Sequence, residues 1–97
     1  TENGMSSHDW VALDGKVHDS SRVDFMHRYL REYRRAAEDG VDLMGYFAWS
    51  SLDNFEWAYG YSERFGLIYV NYQTQQRTWK DSAYFYRDTI RANGDNL

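Results

Sequence analysis

The residues best able to do chemistry in this chain are acidic and aromatic, and many of them crowd into one segment. Aromatic side chains make up 19% of the 97 residues, with nine Tyr and four Trp, in a chain whose overall hydropathy is polar. Ser50 to Arg64 alone holds Asp53, Phe55, Glu56, Trp57, Tyr59, Tyr61 and Glu63. A sugar ring has a face of axial C–H bonds that packs on an aromatic plane, and its hydroxyls need polar partners beside that plane. Aromatics with carboxylates at hand therefore suit a carbohydrate. On composition alone, filling a core is the favoured use of such aromatics. Glu2, on its own near the start, reads as a solvated charge unless its surroundings give it a role.

Other chemistries fall away. Cysteine is absent, which removes disulfides, thiolate metal sites and a cysteine nucleophile, and leaves the redox compartment open. His8, His18 and His27 are spaced too widely for one helical face and read as solvated or locally bonded, so no metal is expected. The formal net charge is -4 with both signs interspersed, which argues against nucleic acid as a partner. The longest apolar run is far too short to span a bilayer and no charged-then-apolar leader opens the chain. A soluble chain away from membranes is expected, cytoplasmic in preference to secreted.

The elements that must position these residues follow from periodicity. Val23, Met26, Leu30, Tyr33 and Ala37 recur at three- and four-residue intervals, predicting a helix over Ser20 to Asp39 with Ser20 capping its start and Gly40 its end. Arg28, Arg31, Glu32, Arg34 and Arg35 then form a solvated face. Leu43 to Trp49 is a short apolar run without alternation, the pattern of a parallel strand buried on both sides. Ser50 to Arg64 has no period and reads as a long functional loop, with Asp53 and Asn54 shaping it by bonding its backbone. Phe65 to Tyr72 is extended, Gln73 to Gln76 is a turn, and a last helix runs from Asp81 with Ala83, Tyr86 and Ile90 on one face, stopping near Gly94. A buried strand flanked by helices belongs to an α/β architecture, and a lone strand leaves both edges unpaired. Residues 1–97 are therefore expected to be part of one larger domain.

Two segments resemble family 1 glycoside hydrolases: Thr1-Glu2-Asn3-Gly4, and the more specific string Trp49-Ser50-Ser51-Leu52-Asp53-Asn54-Phe55-Glu56-Trp57. The similarity continues through Gly60-Tyr61, Arg64-Phe65-Gly66-Leu67, Arg77, Lys80-Asp81-Ser82 and Tyr86. The resemblance implies the C-terminal quarter of a (β/α)8 TIM barrel, in which Glu2 ends strand 7, Ser20 to Asp39 is helix 7, Leu43 to Trp49 is strand 8, and helix 8 closes the chain. Catalytic groups in such barrels sit at the C-terminal ends of strands, where Glu2 and the Trp49 to Trp57 loop would meet. The chain departs from the family at Ser51, where Leu is common, at Asn71, where Asp is usual, and at Trp79, where Pro often stands.

The resemblance also implies roles. Glu2 would be the nucleophile of a retaining β-glycosidase, which needs two carboxyl groups about 5 Å apart. Glu56 and Trp57 would recognise the non-reducing sugar, the carboxylate accepting from two hydroxyls and the indole N–H donating to a third. Trp49 would be the stacking floor and Phe65 a wall of the same subsite. Without those neighbours, Trp49 would read as core and Phe65 as a strand-end hydrophobe. The Glu56-Trp57 pair implies an unphosphorylated glycone, with a β-glucoside or short β-linked oligosaccharide as substrate, glucose favoured, and no cofactor. The family's acid/base Glu lies in an Asn-Glu-Pro motif that this proline-free chain does not contain. These 97 residues alone are therefore expected to be inactive and to need the remainder of the barrel. A second reading is a noncatalytic sugar-binding barrel relative, which would keep Trp49, Glu56 and Trp57 without turnover. A third, an independent small protein, predicts poor folding or self-association.

Overall fold

The spacing of Met26, Leu30 and Tyr33 produces helix α1, Ser20–Glu38, in the computed structural model, which describes residues 1–97. Its N-cap is Asp19 and not Ser20, and the Asp19 carboxylate leaves the first turn uncapped because Arg22 and Ser82 take it instead. Gly40 closes the other end as expected: its N–H bonds to the Ala37 carbonyl at 3.0 Å while that of Val41 reaches Ala36 at 3.0 Å, the paired bonds of a Schellman motif. Met26 and Leu30 are buried, and the five charged residues of the outer face are exposed. Ala37 is exposed as well, since the core α1 meets lies under its first half, against Leu67 and Ala83.

Helix α2, Asp81–Arg91, carries Asp81 in its first turn and Arg91 in its last, complementing the helix dipole at both ends. Ala83 is buried, but Ile90 is 63% exposed. Thr89 turns inward in its place, its hydroxyl satisfied by the Phe85 carbonyl at 3.0 Å. Between the helices the expected extended piece narrows to strand β1, Ile68–Val70, paired antiparallel with an unforeseen strand β2, Arg77–Trp79. Asn71 builds the turn between them, its Oδ1 accepting the N–H groups of Gln73 at 3.0 Å and Thr74 at 3.2 Å. Asn therefore does here what the more usual Asp could do, since both offer the same acceptor. Trp79, the other departure, is partly exposed and packs on Tyr84.

The expected buried strand requires correction. Leu43 to Trp49 runs alongside Asn3 and joins it at one parallel bridge, Asn3 with Ala48, but it forms no continuous ladder. Tyr46 and Ala48 pack on the core while Met44 is 94% and Phe47 71% exposed. The run is thus covered on one side only, because no other segment of the chain lies over Met44 and Phe47. Parallel pairing across the intervening α1 is still the connection of a βαβ unit, which places this chain among α/β folds. No helix is long and apolar enough to cross a membrane.

Candidate active site

The bridge between Asn3 and Ala48 fixes where Glu2 can be. Asn3 N–H donates to the Phe47 carbonyl at 3.0 Å, Trp49 N–H donates to the Asn3 carbonyl at 2.8 Å, and the Tyr46 hydroxyl donates to Asn3 Oδ1 at 2.7 Å. Burial, and then the neighbouring Tyr86, pushes the Tyr46 phenol up to about 12, so it stays a donor at neutral pH. At Gly4 the backbones approach so closely that a Cβ would overlap the Trp49 carbonyl. Glu2 therefore stands one residue before the bridged pair, level with Phe47, while Trp49 stands one residue beyond it on the neighbouring segment. Its carboxylate is exposed and accepts only the Thr1 hydroxyl, at 3.2 Å. It borders a concavity of about 470 Å³ shared with Tyr29, Tyr33, Leu43 and Phe47.

Beyond Trp49 the loop folds back on itself. Trp49 Nε1 donates to Glu56 Oε2 at 3.2 Å, joining two of the expected sugar-contacting residues directly. The Trp49–Ser50 peptide is cis. Glu56 is half-buried and leads into a single 3₁₀ turn, Trp57–Tyr59, held by its own N–H on the Gly60 carbonyl at 2.7 Å. Trp57 projects outward, 78% exposed, an unusual position for so large an apolar surface without a partner. Phe65 is half-buried, and its carbonyl accepts Ser50 N–H at 3.0 Å, which seats it next to Trp49 along the backbone. Glu2 has no hydrogen bond to Glu56 or Trp57, and the concavity that it borders includes none of Trp49, Glu56, Trp57 or Phe65.

What holds this loop is a charged interior. Asp53 is buried and bonds the backbone N–H of Gly66 at 2.9 Å and of Val70 at 3.3 Å, as expected of a loop-shaping carboxylate. Gly66 must be glycine, because a Cβ there would collide with the Asp53 backbone nitrogen. Asp53 also takes Arg64 Nη1 at 2.7 Å and Lys80 Nζ at 2.8 Å. Arg64 is sandwiched by Tyr69 and Tyr72 at 4.2 and 4.4 Å from their ring centres, a favourable cation–π geometry. Lys80 passes the chain of contacts to Asp9 at 2.6 Å, which accepts Arg22 at 2.8 Å. Arg22 then binds Asp19 and the carbonyls of Met5, at 3.1 Å, and Arg64, at 2.8 Å. Burial works against the Arg22 charge, but Asp9 and Asp19 outweigh it and hold the guanidinium above its ordinary range. Three cations thus meet three carboxylates, so the interior is charged yet balanced, the condition under which buried ions are tolerable.

Sequence reasoning missed Asp9, Arg22 and Lys80 as a unit. Each is a lone charge far from the others in the chain, and single charges usually face water. The one signal was Arg22, which falls on the apolar stripe of α1, four residues before Met26.

The fold is shared by known proteins. The model of glycosyl hydrolase family 1 matches residues 1–95. The chain belongs to that family. Over 94 residues it is 54% identical to a 1,4-β-D-glucan glucohydrolase of Thermotoga neapolitana, covering 97% of this chain and 21% of that protein. A bifunctional β-D-glucosidase/β-D-fucosidase of Bifidobacterium breve is 55% identical over 94 residues, covering 93% of this chain and 20% of the relative. The structure of the family 1 β-glucosidase from Thermotoga maritima superimposes with a TM-score of 0.96 at 51% identity, over 97% of this chain and 21% of that one. That β-glucosidase has also been solved in complex with deoxynojirimycin. The chain therefore spans about a fifth of the length of these family 1 relatives.

Proposed function

We propose that this chain is the C-terminal quarter of a (β/α)8-barrel β-glucosidase, carrying the nucleophile Glu2 and the glycone-binding residues Trp49, Glu56, Trp57 and Phe65. The observation that carries the reading is the Trp49–Glu56 hydrogen bond, made one residue beyond the bridge that seats the Glu2 segment beside the Trp49 segment. A carboxylate oriented by an indole N–H keeps its other lone pairs for the hydroxyls of a sugar laid on the Trp49 ring. The exposed Trp57 N–H is free to donate to a third hydroxyl.

In this scheme a Glu2 oxygen attacks the anomeric carbon as the bond to the leaving oxygen breaks. A glycosyl ester forms on Glu2, and a water molecule then releases the sugar with retention. The acid that protonates the leaving oxygen would come from the rest of the barrel, as would the walls that read the aglycone. No metal or organic cofactor enters any step. The 97 residues alone would not turn over substrate, because the second carboxyl group required at about 5 Å would be missing.

The test is to incubate the full-length protein with an activated 2-deoxy-2-fluoroglucoside and map the adduct by peptide mass. A glycosyl ester on the Glu2 peptide, with Glu2→Gln lowering kcat by roughly a thousandfold or more, is the expected result. An unlabelled protein that still binds glucosides would leave only a noncatalytic sugar-binding relative.

A further inference from the structure

Resting on that reading, we propose that Asp53, Lys80, Asp9 and Arg22 are positioning residues that set the placement of the nucleophile segment against the glycone loop. Neither Asp53 nor Arg22 projects toward the sugar-contacting groups; both are buried. Their contacts nonetheless run between the two parts of the site. At one end Arg22 Nε binds the Met5 carbonyl at 3.1 Å, three residues after Glu2. Its Nη2 binds the Arg64 carbonyl at 2.8 Å, one residue before Phe65, and Ser7 N–H bonds that same carbonyl at 3.1 Å. At the other end Asp53 grips Gly66 and Val70 from within the loop that carries Glu56 and Trp57. Asp9 and Lys80 join the two ends without a gap, at 2.8 Å to Arg22, 2.6 Å to each other and 2.8 Å to Asp53.

Charged hydrogen bonds of this kind are directional and short, so they resist sliding where apolar packing would permit it. The consequence is kinetic. Attack requires Glu2 within near-contact distance of an anomeric carbon whose position is dictated by Trp49 and Glu56, and a misplacement of about 1 Å in such a site can cost on the order of a hundredfold in rate. Neutralising Asp53 at constant size, as Asp53→Asn, removes the charge that balances Lys80 and Arg64 without substituting any sugar-contacting residue. Two of the three cations would then bear on one fewer carboxylate, and the loop would shift relative to Glu2.

The experiment is a double-mutant cycle on the full-length enzyme with Asp53→Asn, Glu56→Gln and the pair. Asp53→Asn should lower kcat by between about ten- and a hundredfold with KM changed by less than about threefold. Its saturating fraction of fluoroglucoside-labelled molecules should stay complete, which marks a folded and competent population. The pair should lose much less than the product of the two single losses, because Asp53 acts through the placement of Glu56. Multiplicative losses, or a fall confined to the labelled fraction, would overturn the proposal while leaving the glycosidase reading standing. A Glu56→Gln enzyme with undiminished kcat/KM would instead remove the reading on which it rests. Should Asp53→Asn fail to fold, Arg64→Met, which removes one of the two cations on Asp53 at a partly exposed edge, carries the same cycle with a smaller expected loss.

Discussion

The two sides of this chain are built on opposite principles. Around Asp53 the interior is charged and closed: six ionic groups find partners within the chain, and five of them are almost wholly hidden from solvent. Along Leu43 to Phe47 the surface is apolar and open, with Met44 and Phe47 turned to solvent. Ordinary folding would put these the other way round. The difference teaches which contacts are local: the ionic cluster is satisfied by residues of this chain, whereas the apolar run calls for a cover that this chain does not supply.

The largest expected effect breaks the closed side. Lys80→Met would leave three buried carboxylates with two cations, Asp9 keeping only Arg22 and Asp53 only Arg64, and should cost about 3–5 kcal/mol of unfolding free energy, read by urea denaturation of the full-length protein. A loss below about 1 kcal/mol would mean that water enters the cluster and that it is not closed. The open side is tested next. In the isolated chain, Met44→Asp with Phe47→Asp should reduce self-association, measured by sedimentation, with little effect on helix content. In the full-length protein the same pair should be strongly destabilising, since it would bury two unpaired charges. Equal behaviour in both settings would show that the apolar run is never covered.

The smallest effect sits at the exposed surface, at His18. His18 is bonded by Asp14 at 2.8 Å and Asp81 at 2.9 Å, and the bond to Asp14, followed by that to Asp81, raises its pKa above the ordinary 6.5. A raised folded pKa means that the contribution is present below about pH 6.5 and fades as pH climbs through the folded value. Asp14→Asn should bring the His18 titration back down, observable by NMR, and a titration left unmoved would refute the bridge.

How much was legible in the sequence depended on range. Both helices were, because Met26 and Leu30 in α1, and Ala83 and Tyr86 in α2, recur at a spacing that puts each pair on one helical face against the core, and Gly40 marked the end of α1 correctly. Strand β2 was not, because Arg77, Thr78 and Trp79 are too few and too exposed to show a period; only their pairing with Ile68–Val70 defines them. The run at Leu43 was read as covered on both sides, since an apolar run states what it prefers and not what lies over it. The placement of Asp53 as a loop-shaping residue was readable from its type, but its cations were not. Lys80 follows it by 27 residues and Arg64 by 11, and no local pattern links charges across such intervals.

The two close backbone approaches, at Gly4 against Trp49 and at Gly66 against Asp53, bear on any attempt to redesign this part of the molecule. Trp49, Glu56 and Trp57 keep part or most of their surface open to solvent, so libraries there can sample many side chains. Positions 4 and 66 admit no side chain at all without moving main chain, so they act as spacers of fixed thickness between neighbouring segments. New specificities are therefore more accessible by exchanging groups that project from this frame than by adjusting the distances inside it.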